Sequence, residues 1–129
     1  MIILLISVIC SWILVQSLKV ILSGFRWNAF FRDGGMPSGH SAVVSSLATG
    51  VYLLEGFSIF FLITATFAAI IMRDACGVRQ ETQKHAITLN KYLKLDKKNK
   101  LSEYVGHTLF QVIIGGLIGI SVTLLIFNI

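Results

Sequence analysis

The sequence predicts an all-α fold: an integral membrane bundle of four transmembrane helices with an amphipathic cytoplasmic extension of the third. Three observations carry this. Of the 129 residues, 55% are hydrophobic and 13% charged, against about 25% charged in a typical soluble domain. The apolar residues gather in four stretches, 2–22, 41–54, 57–72 and 109–127. All eleven lysines and arginines fall in or at the edges of only two of the connections. A crossing needs roughly 20 mainly apolar residues, so the chain reads as a single membrane domain, 1–129. The expected spans are about 2–22, 38–54, 57–74 and 108–128, with a cytoplasmic segment at 75–107.

The first stretch has no basic leader and no Ala-x-Ala cleavage pattern, and its apolar run exceeds that of a signal peptide. It is expected to be retained as a span. Lys19, at the end of span one, and Arg26 and Arg32 mark the connection between spans one and two, and the other eight basic residues, from Arg73 at the end of span three, mark that between spans three and four. With four spans these two connections share a side. The excess of positive charge assigns that side to the cytoplasm and both termini, with the "LEGFS" turn at 54–58, to the outside. The net charge of +5 is therefore one-sided, suited to anionic headgroups or phosphate. No DNA- or RNA-binding motif accompanies it, so nucleic acid is excluded as a partner.

Span two opens in "RDGGMPSGHSA", residues 32–42, which holds the only proline of the chain. Pro37 and Gly39 interrupt the preceding backbone, and Ser38 is a good N-cap. A helix start exposes free N–H donors and partial positive charge, a setting for phosphate, and His40 falls in its first turn. Span four repeats the pattern. Thr108 and Gln111 make a capping box, with His107 immediately before it. Since spans two and four run the same way, their starts can converge on one site. Ala42, Ser46 and Gly50 in span two, and Gly115 and Gly119 in span four, are small residues at four-residue spacing that permit close approach.

Between spans three and four, Val78, Thr82, Ala86, Leu89 and Leu93 recur at helical spacing. They predict that span three continues as an amphipathic helix at the interface. Asp74, Glu81 and His85 lie near a second face, and Arg73 and Asp74 sit closest to the membrane, where ionisable groups are costly and therefore more often functional. "KLDKKNK", 94–100, reads as a solvated basic linker. Cys10 and Cys76 are expected to be free thiols, because they lie in separate places and the chain has no C-x-x-C. The three histidines show no metal-ligand spacing, so neither a metal nor another cofactor is expected.

"GGMPSGHSA", "RDACGVRQ" and "EYVGHT" followed by a glycine-containing final helix, in this order, resemble the divergent membrane family related to type 2 phosphatidic acid phosphatases and vanadium-dependent haloperoxidases. The resemblance spans most of the chain. It implies a metal-free helical site in which one histidine attacks phosphorus, basic residues hold the phosphoryl oxygens, and the histidine of Pro-Ser-Gly-His protonates the leaving group. The superfamily's second motif is complete as Pro37, Ser38, Gly39 and His40. Its first motif is partial: Lys19 and Arg26 keep the spacing, but Trp27 stands where proline is usual. In the third, Arg79 and His85 keep the spacing, while Val78 and Leu89 replace the serine and the orienting aspartate. The nucleophile is therefore open between His85 and His107, with His107 favoured by its place in the divergent family's own segment. Asp74 and Glu103 are the candidate orienting acids.

The resemblance thus implies His40, His107, His85 and Asp74 as catalytic residues, and Lys19, Arg26, Ser38, Gly39, Arg79 and Thr108 as phosphate-binding ones. The expected function is metal-independent hydrolysis of a lipid-linked phosphate or diphosphate at the interface. The expected setting is the plasma membrane of a prokaryote, with the site facing the cytoplasm. The expected partners are a lipid phosphate substrate and the membrane, with a homodimer as an open arrangement. Binding or transport of a phospholipid or polyprenyl phosphate without cleavage is the alternative. A structural subunit whose basic linker docks a cytoplasmic protein ranks third, since it leaves the two histidine-bearing helix starts unexplained.

Overall fold

A computed structural model describes residues 1–128 apart from 95 and 97. Two residues of the basic linker, Leu95 and Lys97, and the terminal Ile129 of the last stretch lie outside the described residues. Among the described residues the chain is all-helical. The helices are α1 (Ile2–Leu22), α2 (Gly39–Glu55), α3 (Ile59–Cys76), α4 (Val78–Tyr92) and α5 (Leu109–Phe127), with a short 3-10 helix at Trp27–Phe31.

Each boundary has a local cause. After α1 the chain reverses through Gly24 and Phe25, both at positive φ, and the Phe25 N–H returns to the Val20 carbonyl at 2.9 Å. Ser38 caps α2 by accepting the Ser41 N–H at 3.3 Å. The helix stops at Gly56, whose φ of +63° is one that a side chain disfavours. Ser58 then caps α3 through the Phe61 N–H. Gly77 alone separates α3 from α4. The Thr108–Gln111 capping box is present at α5 in both of its hydrogen bonds.

α2 lies at the centre, packed against α1, α3 and α5. Its contact with α5 is the tightest. The two helices run parallel from a common start, with Ser38 opposite Gly115, Ala42 opposite Gly119 and Ser46 opposite Thr123, a constant offset of 77 residues. A Cβ on Gly115 would strike the Ser38 carbonyl, and one on Gly119 would strike the Ala42 carbonyl and the Ser45 hydroxyl. Glycine is therefore required for this approach. Hydroxyls fill the seam: Ser45 Oγ donates to the Gly116 carbonyl at 2.9 Å, and the Ser46 and Thr123 hydroxyls meet at 2.7 Å. Such interhelical bonds contribute about 0.6 kcal/mol each inside a membrane bundle.

Among the described residues three helical segments are long and apolar enough to cross a membrane: Ile2–Leu22, the α3–α4 run Ile59–Tyr92 and Leu109–Phe127. α2 has 17 residues and seven buried positions, three of them serines. At 1.5 Å per residue it spans about 25 Å, less than the roughly 30 Å of a hydrocarbon core. Its serines are tolerable because the other helices, not lipid, surround them. In α4 the expected apolar stripe is largely exposed, with Val78 68% and Leu93 61% accessible. Its buried residues are Ala86 and Asn90. Asn90 ties the helix to the following chain through both the N–H and the carbonyl of Leu101, at 2.9 Å each. Cys10 and Cys76 are both free.

Candidate active site

The common start of α2 and α5 gathers polar side chains from four parts of the chain. The Ser38 N–H donates to the Gln111 carbonyl at 3.2 Å, which joins the two helix ends. His40 stands in the first turn of α2, partly buried. His107 stands just before α5 and is 1% exposed. Its backbone N–H donates to the Ala75 carbonyl at 3.0 Å, so the end of α3 fixes where this histidine sits. The next residue back, Gly106, lies against the Gln80 backbone and the Arg79 carbonyl, where a Cβ would collide. The two imidazole centroids are 6.0 Å apart, edge to face.

Among the described residues neither nitrogen of His107 and not the Nδ1 of His40 has a hydrogen-bond partner, although all three atoms are buried. Gly35 and Gln111 come near the His107 ring without reaching hydrogen-bonding geometry. Buried polar atoms are normally satisfied; His40 lines the cavity described next, whereas His107 lines neither of the two cavities of the site. Burial is the main cause that lowers the His107 pKa below its ordinary value of 6.5, and the positive charge of Lys19 and then His40 add to it. Burial therefore favours the uncharged imidazole.

Lys19 reaches the site from α1. It is 4% exposed, and its Nζ donates to the Arg32 carbonyl at 3.0 Å and the Asp33 carbonyl at 3.4 Å. Gly39 leaves room beside it: an added Cβ would lie 3.9 Å from that Nζ and 3.6 Å from Gln16 Oε1. Gln16 donates to the Phe30 carbonyl at 2.7 Å, while its buried Oε1 has no partner. Gln16, Lys19, Arg32, Asp33 and His40 form the polar end of a cavity of about 250 Å³. A second cavity of about 210 Å³ shares Lys19 and Arg32, and its wall includes Tyr104, whose ring lies 4.2 Å under the Arg32 guanidinium. Arg79 and Asp74, paired at 2.7 Å, complete the charges acting on His40 together with Lys19 and Asp33.

The remaining sequence-derived candidates take other positions. Ser38 is fully buried, and its hydroxyl accepts from both the N–H and the hydroxyl of Ser41, so it serves the cap. The Thr108 hydroxyl is likewise occupied, by the Gln111 N–H at 3.3 Å. Arg26 is exposed and lines neither cavity. His85 is exposed on α4 and borders a separate surface depression with Asp74 and Glu81. Of the two candidate orienting acids, Asp74 binds Arg79, and Glu103 accepts from Asn90 at 2.8 Å and Lys100 at 3.1 Å. Among the described residues no group of three or more His, Cys, Asp or Glu is disposed to hold a metal ion.

Gln16, Arg32 and Asp33 belong to the site, although no motif in the sequence marks them. A signal existed for Gln16: it is the one amide of the first apolar span and sits one helical turn before Lys19. Arg32 and Asp33 immediately precede the glycine pair, but only the fold of the connection shows that they turn back over Lys19.

A family model described as the divergent PAP2 family matches residues 2–122. The chain is also similar to an uncharacterized membrane protein, YuiD, of Bacillus subtilis (strain 168). The two are 35% identical over 145 residues, covering 95% of this chain and 92% of the relative. No solved structure matches. The chain belongs to the divergent PAP2 family and is an integral membrane protein.

Proposed function

We propose that this divergent PAP2 family member is a metal-independent phosphatase that hydrolyses a lipid-linked phosphate or diphosphate through a histidine nucleophile at the membrane interface. One observation carries the reading: two imidazoles with unpartnered buried nitrogens, 6.0 Å apart, meet at the joined starts of two parallel helices beside a buried lysine. Phosphoryl transfer needs positioning and charge stabilisation more than covalent machinery. Lys19, Arg32 and Arg79 supply positive charge, and the helix starts add their dipoles.

In this reading His107 is the nucleophile, since a nucleophilic imidazole must be neutral and burial keeps it so. One of its ring nitrogens bonds to phosphorus as the bond between phosphorus and the lipid oxygen breaks, and His40 gives its proton to the departing oxygen. Water then attacks phosphorus and loses a proton to His40, the nitrogen–phosphorus bond breaks, and inorganic phosphate leaves. The balance is lipid phosphate plus water to lipid alcohol plus phosphate. Four spans, termini outside and a cytoplasmic site in a prokaryotic plasma membrane are part of the same proposal, supported by the concentration of basic residues at this end.

A second reading has its own support. Among the described residues no carboxylate hydrogen-bonds either histidine; Asp74 is engaged with Arg79 and Glu103 with Asn90 and Lys100. Recognition or transport of a lipid phosphate without cleavage needs no such orienting group. The deciding experiment incubates the purified protein with lipid mono- and diphosphates in the presence of a chelator and measures released phosphate beside His40→Ala and His107→Ala. Release abolished by both substitutions establishes the phosphatase. Saturable binding without release from any of these lipids establishes the second reading.

A further inference from the structure

We infer that the hydrocarbon chain of the lipid phosphate enters sideways from the bilayer, through a slot between α1 and α3 floored by α2. The inference rests on the lipid-phosphate reading above and locates the part of the ligand which that reading leaves unplaced. α1 and α3 both pack on α2, yet among the described residues no Cα of α1 lies within 8 Å of a Cα of α3. The gap is the 250 Å³ cavity that holds His40.

The cavity changes character along the helix axes. On α1, Lys19, Gln16 and Trp12 line it in that order from the site end. These positions share one helix face, and Trp12 lies about 10 Å deeper than Lys19 at 1.5 Å per residue. On α2 the sequence from the same end is His40, then Val43 and Val44, and on α3 it is Ile71, then Phe67. Charge and hydrogen-bonding groups therefore occupy one end, and five apolar side chains form the other. An amphiphile with an anionic head and an apolar tail matches that gradient in one orientation only.

The rim faces outward into what would be lipid. Trp12 and Phe67, on opposite sides of the slot, keep 40% and 50% of their surfaces exposed. Trp12 is held by edge-to-face packing on Phe30, 5.6 Å away, so it is a fixed post of the slot. A second copy of this chain could cover an apolar rim, but it would leave the unpartnered His40 Nδ1 unanswered. A phosphate-headed lipid addresses both ends of the cavity together.

The test uses the full chain in phosphatidylcholine vesicles with a long-chain alkyl phosphate carrying a diazirine at mid-chain. After illumination, adducts are mapped by mass spectrometry. Adducts are expected on Trp12, Val43, Phe67 or Ile71, competed by unlabelled long-chain alkyl phosphate and not by the alcohol of the same chain. Ile71→Trp, which fills the slot, should lower this labelling about tenfold, as overfilling a packed space does. Leu125→Trp, on the exposed face of α5, should leave it unchanged. Adducts confined to the outer faces of α3 and α5, or equal competition by the alcohol, would overturn the slot and indicate ordinary bilayer lipid. Labelled chain-to-chain contact across Trp12 and Phe67 would assign the rim to a second copy instead. Labelling needs no turnover, so the slot stands or falls even where the protein binds lipid without releasing phosphate.

Discussion

The α2–α5 seam and the α3–α4 elbow each carry a histidine-bearing motif, and the fold treats them in opposite ways. At the seam, glycines bring two helix starts into contact and bury His107 and part of His40 without hydrogen-bond partners. At the elbow, His85 is exposed on α4, and its charged neighbours pair locally, Glu81 with Lys84 at 2.6 Å. The difference teaches that sequence spacing to an arginine does not by itself bring a histidine to the paired helix starts. His85 keeps the superfamily's spacing from Arg79 but stays exposed on α4, while the chain after α4 returns to place His107 with its ring centroid 6.0 Å from that of His40. The elbow contributes Arg79 and the backbone that seats Gly106, while the seam holds the imidazoles.

The sharpest way to break this contrast is to remove each histidine. His40→Ala and His107→Ala should each reduce phosphate release on the order of 10³-fold, whereas His85→Ala should stay within about twofold of the parent. A comparable loss in His85→Ala would move the chemistry to the elbow. Next in size is Lys19→Met, which removes the buried ammonium between the two cavities. Release should fall about 10²-fold, the usual cost of losing one preorganised charge at a reacting phosphate, with membrane insertion retained.

Stability offers a third comparison. Gly119→Val places a methyl-bearing side chain against the Ala42 carbonyl and should lower thermal stability in detergent by about 1–3 kcal/mol. Val78→Ala at the exposed elbow should stay within about 0.5 kcal/mol. If both variants melt together, the glycine seam is not what holds α2 to α5.

The smallest effect is the dependence on pH. The folded-state pKa of His107 is lowered from 6.5, chiefly by burial. As pH falls below that ordinary value the unfolded chain takes up this proton before the folded one does. Stability contributed by neutral His107 is therefore full above pH 6.5 and declines toward acid. The acid limb of phosphate release should also lie below 6.5, and the stability slope should flatten in His107→Ala. An acid limb above that value would exclude neutral His107 as the nucleophile.

Much of this was legible in the residues. Ser38 and Thr108 as caps, the Gln111 capping box and the four apolar segments follow from local propensities, which act over one helical turn and need no tertiary partner. The parallel run of α2 and α5 was also readable, because small residues at four-residue spacing on both helices invite close approach. Arg26 and Arg32 show the limit. Either could have followed Lys19 into the pocket by charge alone. The reversal at Gly24 and Phe25 and the 3-10 helix leave Arg26 exposed and return Arg32 over the lysine. The stripe on α4 shows another: its period is helical, but Asn90, not the apolar stripe, makes the anchoring bonds.

By itself the sequence determined the helical class, the membrane setting, the helix starts and the presence of three histidines beside basic residues, since composition, period and capping are local properties. Only the tertiary structure decided which histidines meet, which arginine joins Lys19, and that α1 and α3 stand apart over α2. Those outcomes depend on contacts between segments distant in the chain, such as Ser38 with Gly115 and His107 with Ala75, which are set by the packing of whole helices.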